Sequence, residues 1–153
     1  MQYLRLERIV MRDEGFRDRA YLDTSSPPVP TIGYGTTNIL GRPVQMGDTI
    51  TPTHARRLLR ADLYQALVDA QALFERFDEM SSIRQEILTM MAYNLGRTRL
   101  SRFVRLRAAA DELRYDLMAE EMMNSMWFFQ VGERSRRLVD AMRYGEYRFG
   151  EDQ

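Results

Sequence analysis

Between about residues 20 and 50 proline and glycine interrupt the chain repeatedly, with "SSPPVP" at 25–30 and then glycines at 33, 35, 41 and 47. Helices do not survive that density: proline lacks an N–H and clashes with the preceding turn, and glycine loses the most backbone freedom on ordering. Tyr21, Thr31, Ile32 and Tyr34 in the same stretch suit strands, so a small antiparallel sheet is predicted here. On both sides the pattern is helical. Tyr3, Leu6, Ile9 and Val10 fall at helical spacing over residues 3 to 13, and Gly15 is a natural stop. Thr51 followed by Pro52 marks a helix start, a capping hydroxyl and then a residue whose missing N–H costs nothing in the first turn. Apolar residues from Leu58 to Phe77 then recur without a breaker, predicting one helix from about 52 to 77. A methionine-rich helix closed by Gly96 follows, then shorter ones at about 100 to 109, 111 to 124, 126 to 130 and 133 to 144. The expected class is α+β with segregated parts.

The 153 residues suit a single domain. Its expected parts are a β-rich lobe at about 14–51, a helical lobe of 1–13 and 78–153, and a connecting helix at 52–77. Lys+Arg and Asp+Glu are both 22, so net charge calls for neither nucleic acid nor an anionic membrane as partner. Every basic residue is arginine, read as a codon-composition bias. Arg97, Arg99, Arg102, Arg105 and Arg107 form a run without an acid, read as a solvated helix face ahead of a contact with an anionic polymer. With no cysteine and one histidine, His54, no metal site or cofactor is expected. Charges at Arg5, Glu7, Arg8, Arg12 and Asp13 leave no apolar core for an export signal, and no stretch is long and uncharged enough to insert into a membrane. No oligomer seam is evident, so a monomer is expected.

In "DEGFRDRAYLDT", residues 13 to 24, Glu14 and Asp23 lie nine residues apart. Hydrolysis of a glycosidic bond needs a proton for the departing oxygen and a base or nucleophile on the other face of the sugar. Two carboxyl groups suffice if one stays protonated while the other ionises. Glu14 would end the first helix, where the dipole disfavours its charge by about 0.3 to 1 kcal/mol; Asp23 lies among Thr24, Ser25 and Ser26, which favour ionisation. By spacing alone, two acids nine apart in a chain with 22 read as surface charges.

The sequence around them adds weight. "DEGFRDRAYLDT", then "TIGYGT", then the capped long helix, then "AYNLGRTRLSRF" and "WFFQVGERSRRL" occur in that order. This order resembles the phage-type lysozymes over about residues 3 to 148. The resemblance implies a lysozyme-like fold, with a small antiparallel sheet lobe joined by a long helix to a helical C-terminal lobe. It further implies a peptidoglycan hydrolase that cleaves the β-1,4 bond between N-acetylmuramic acid and N-acetylglucosamine by an inverting route. Glu14 is implied as the general acid, and Asp23 and Thr31 as supports for the attacking water. Arg134 is implied to pair with Glu14, Arg137 to lie near Asp13, and Tyr21, Gly33, Asn94, Arg97 and Phe103 to bind the sugar chain. Such a protein would stay in the host bacterial cytoplasm until a phage pore protein releases it to the wall, or would ride in a virion.

Two departures stand out. Seven residues, "TSSPPVP", separate Asp23 from Thr31 where the family commonly has five with a glycine, and Thr36 stands where a relative has histidine. A displaced Thr31 would favour a lytic transglycosylase, which needs the acid but no activated water; a catalytically inactive wall-binding or virion module is the further alternative. Trp127 reads as a core anchor, His54 as exposed, and Met90, Met91, Met122, Met123 and Met126 as core packing.

Overall fold

The structure, a computed structural model, describes residues 1–148. Its elements run α1 (Tyr3–Glu14), β1 (Arg17–Leu22), β2 (Pro30–Gly33), β3 (Asn38–Ile39), β4 (Arg42–Pro43), α2 (Pro52–Leu73), α3 (Ser82–Ser101), α4 (Val104–Asp111), α5 (Tyr115–Met123), α6 (Met126–Val131) and α7 (Glu133–Tyr144). A single 3₁₀ turn, Phe77–Glu79, separates α2 from α3. The class is α+β, as the distribution of proline and glycine predicts. By its contacts the chain divides into two units, Glu7–Tyr64 and Met1–Leu6 with Gln65–Gln153.

In the unit 7–64, β1 and β2 pair antiparallel with Tyr21 opposite Thr31 and Leu22 opposite Pro30, and a bulge lies between Arg17 and Tyr21. The other edge of β1 is taken by 48–50: the Ala20 amide donates to Asp48 and the Ile50 amide to Asp18. Ile9, Val10, Ile32, Val44, Leu59 and Leu63 are buried. At Gly33 the backbone has φ +64, and a Cβ there would lie 3.0 Å from the Cβ of Ala55, so glycine is what lets β2 approach α2. Glu7 is buried, and its carboxylate accepts hydrogen bonds from Arg56 and, at 2.7 Å, from Arg60, one turn apart on α2. Burial raises the Glu7 pKa, but the two guanidinium hydrogen bonds and charges outweigh it and hold it below the ordinary value. The pair on α2 thereby ties the second half of α1 in place.

The other unit is helical, with α5 packed on α4, α6 and α7, and α7 also on α3. Phe74, Ile87, Leu88, Met91, Leu100 and Trp127 are among its fully buried side chains. Glu86, fully buried, accepts from the Gln2 amide at 2.9 Å, from both Nε and Nη2 of Arg5, and from the Tyr147 hydroxyl at 3.0 Å. One carboxylate thus fastens both ends of the described chain, and none of its charge is left unpaired. Arg84 donates to the carbonyls of Met142 and Arg143 and lies 3.6 Å from the Tyr115 ring, a cation placed on the C-terminal end of α7.

Three expectations are corrected. The helix begun at Pro52 ends at Leu73, not near 77, because Arg107 Nε donates to the Leu73 carbonyl at 3.1 Å and the chain then turns to bury Phe74 and Phe77. Arg107 is therefore a tertiary cap, while Arg97, Arg99, Arg102 and Arg105 are exposed. Met123 and Met126 flank the α5–α6 junction and are exposed, Met126 at 69%, so only Met90, Met91 and Met122 of that group pack in the core. Gly96 does break the helical backbone, with φ 77 and ψ 161, and a further turn resumes beyond it to Ser101.

Candidate active site

Glu14 is the last residue of α1, and Gly15 follows at φ +69, the left-handed conformation that frees the chain to turn into β1. The Gly15 amide still donates to Met11, which closes the helix and leaves Glu14 half-buried on its final turn. Asp13 beside it is half-buried and accepts two hydrogen bonds from Arg12, at 2.8 and 3.1 Å.

Asp23 lies one residue beyond β1. Its Oδ1 accepts three hydrogen bonds: the Ser25 amide at 3.0 Å, the Ser25 hydroxyl, and the Val29 amide at 2.8 Å. The Ser25 hydroxyl, then the Val29 amide, lower its pKa; slight burial opposes them without prevailing. Asp23 is therefore ionised at neutral pH, with Oδ2 accepting no hydrogen bond among the described residues. Its own amide donates to the Val29 carbonyl at 3.1 Å. These bonds close the base of the loop, so residues 24 to 28 form an exposed excursion and the strands stay in register beneath it. The long loop leaves Thr31 directly opposite Tyr21.

Thr31 is buried, and its hydroxyl donates to the Val29 carbonyl at 2.9 Å. A hydroxyl has one proton and two lone pairs, so Thr31 Oγ1 can only accept from anything else that reaches it. Tyr21, between the acids in sequence, has Arg17 over its ring at 4.2 Å. Burial first raises the Tyr21 pKa; the negative charges of Glu14 and Asp23 raise it further and Arg17 pulls it down. One phenol feels both carboxylates, which places Glu14, Tyr21 and Asp23 in one electrostatic neighbourhood.

Asp13, Glu14, Tyr21, Asp23, Thr31 and Gly33 thus belong to the unit 7–64. Asn94, Arg97, Phe103, Arg134 and Arg137 belong to the helical unit. There Asn94 and Phe103 are half-buried, Arg97 is exposed, and Arg134 and Arg137 are half-buried on α7. Trp127 is in the core at 2% exposure, and His54 is exposed in the first turn of α2, where its amide donates to the Thr51 hydroxyl. Reasoning from sequence placed Ser25 among the hydroxyls that favour ionised Asp23 and missed Val29, the other residue that holds it. The bond from the Ser25 amide had its own signal, since aspartate followed two residues later by serine is the pattern of a turn in which the carboxylate binds the downstream amide. Among the described residues no three His, Cys, Asp or Glu side chains gather as a metal site, and no helix is long and apolar enough to cross a membrane.

Comparison with solved structures finds the same fold in an endolysin from the Escherichia coli O157:H7 phage FAHEc1, with a TM-score of 0.80 and 24% identity over 97% of this chain and 98% of that one. The family model of phage lysozyme matches residues 11–143, which include the strands, both acids and the tryptophan-containing segment. The chain belongs to the phage lysozyme family, glycosidase-type enzymes that lyse peptidoglycan.

Proposed function

We propose that this chain is an endolysin that hydrolyses the β-1,4 bond between N-acetylmuramic acid and N-acetylglucosamine. Glu14 is the general acid that protonates the departing oxygen, and Asp23 with Thr31 holds the attacking water. The hydrogen bonding at Asp23 and Thr31 carries this reading. A water poised for attack must give up both O–H groups to acceptors so that a lone pair faces the anomeric carbon. Asp23 Oδ2 and Thr31 Oγ1 supply two acceptors, since Oδ1 is saturated and the Thr31 proton is committed to Val29. The depressed Asp23 pKa keeps that carboxylate ionised and able to accept from the water.

In this reading Arg134 holds Glu14 in position, Arg137 does the same for Asp13, and Tyr21, Gly33, Asn94, Arg97 and Phe103 contact the glycan. The long loop, the ground for a lytic transglycosylase, leaves Tyr21 opposite Thr31 and Leu22 opposite Pro30, and product chemistry separates the two readings. The protein is made in the host cytoplasm and reaches the wall through a phage pore.

Mass spectrometry of fragments released from purified peptidoglycan tests the reading. Reducing-end muramic acid in the product and loss of release in a folded Glu14→Gln variant are expected, with inversion at the anomeric carbon read by NMR of the nascent product before mutarotation. Anhydro-muramic ends, or near-normal turnover in Asp23→Ala, would remove Asp23 and Thr31 from these roles.

A further inference from the structure

Several arginines of this protein are spent on partners: Arg5 on Glu86, Arg56 and Arg60 on Glu7, Arg76 on Glu79, Arg84 and Arg107 on carbonyls. Arg99, Arg102 and Arg105 are not, and they gather in one place. All three line one cavity of about 460 Å³ in the helical unit, between the end of α3, the start of α4 and the α5–α6 junction. None of the three side chains makes a hydrogen bond or ion pair among the described residues. Glu121 is the one acid in the lining, so the cavity holds three positive charges against one negative. Phe103, Leu106 and Trp127 supply an apolar wall. The Trp127 indole Nε1 is buried and has no hydrogen-bond partner, where buried donors are ordinarily satisfied.

Guanidinium groups that line one space repel each other unless an anion is shared among them. A carboxylate offers two oxygens and satisfies one guanidinium fork; a phosphate carries more charge and three free oxygens, enough to engage several forks at once. We infer that this cavity is a binding site for the phosphate group of an organic phosphate, whose body rests on the wall of Phe103 and Trp127. Its lining contains none of the acid–base residues and shares Phe103 with the residues proposed to contact the glycan. The same chemistry is offered by phosphate monoesters on a polymer of the cell envelope and by a soluble organic phosphate monoester.

Trp127 is the only tryptophan, so its fluorescence and its indole N–H resonance report on this cavity without labelling. The full chain is titrated at constant ionic strength in chloride with inorganic phosphate, with dextran phosphate, a polymer carrying phosphate monoesters, and with N-acetylglutamate. Chloride at matched strength removes general screening as a cause. A saturable change with inorganic phosphate is expected, weakened by about tenfold or more in an Arg102→Gln, Arg105→Gln double variant that circular dichroism shows to be folded. These two positions are exposed, so the substitutions leave the core intact. Much tighter binding of the polymer per phosphate identifies an envelope polymer as the source; equal binding per phosphate identifies a soluble one. No saturable change, an undiminished response in the double variant, or N-acetylglutamate bound as tightly as phosphate overturns the inference.

Discussion

Asp23 and Val29 are joined by two hydrogen bonds that run in opposite directions: the Asp23 amide donates to the Val29 carbonyl at 3.1 Å, and the Val29 amide donates to the Asp23 carboxylate at 2.8 Å. The same Val29 carbonyl receives the Thr31 hydroxyl. One backbone unit in the loop therefore sets both groups proposed to hold water.

Thr31→Val keeps the shape of the side chain and removes the acceptor. Turnover on purified walls is expected to fall by about 10²-fold, the scale of a misplaced reactant. Stability is expected to fall by only about 1 kcal/mol, for the hydrogen bond to Val29. Thr31→Ser, which keeps the hydroxyl, should retain most of the activity. Equal activity in the valine and serine variants would show that the hydroxyl is not used.

Ser25→Ala tests what keeps Asp23 ionised. The Ser25 hydroxyl is the largest influence lowering that pKa, so its loss moves the pKa up toward the ordinary aspartate value of about 3.9. A base must be deprotonated to work, so the acidic limb of the kcat/KM profile should shift to higher pH in the variant, with the activity near neutrality changed little. The linked stability has the matching sign: the depressed pKa contributes above the unfolded value and is lost as pH falls through the folded one.

Glu7→Gln leaves Arg56 and Arg60 facing a neutral group. Both arginines are about half exposed, at 49% and 48%, so water solvates them and the loss should stay near 1–3 kcal/mol. The folded pKa of Glu7 is depressed, so its contribution is present above the unfolded value of about 4.3 and disappears as pH falls through the lower folded value. Urea unfolding should therefore separate wild type from variant at pH 7 and bring them together under strong acid.

Gly33→Ala places a Cβ 3.0 Å from that of Ala55 on a backbone at φ +64. Steric and conformational costs act together, and a loss of about 1–3 kcal/mol is expected in thermal unfolding. Ala55→Gly in the same background should recover the steric part alone.

Much of the fold was legible from residue order. Thr51 and Pro52 announced α2, Gly15 announced the end of α1, and the proline-rich stretch announced the sheet. The end of α2 was not legible, because periodicity runs on to Phe77 and what stops the helix is Arg107, 34 residues beyond the carbonyl it caps. Met123 and Met126 were misjudged for a related reason: composition marks methionine as core material, but position at the α5–α6 junction leaves both side chains in water.

The candidate site divides the same way. Sequence by itself determined that Glu14 ends a helix before a left-handed glycine and that Asp23 follows a strand, since local conformational preferences are written in neighbouring residues. Tertiary structure alone decided that the long loop lies outside the strand register, that Asp23 Oδ1 is saturated while Oδ2 is not, and that the Thr31 proton is already committed. Hydrogen bonds between Asp23, Val29 and Thr31 depend on where two strands meet, and strand pairing is settled by packing across the whole unit rather than by any one segment.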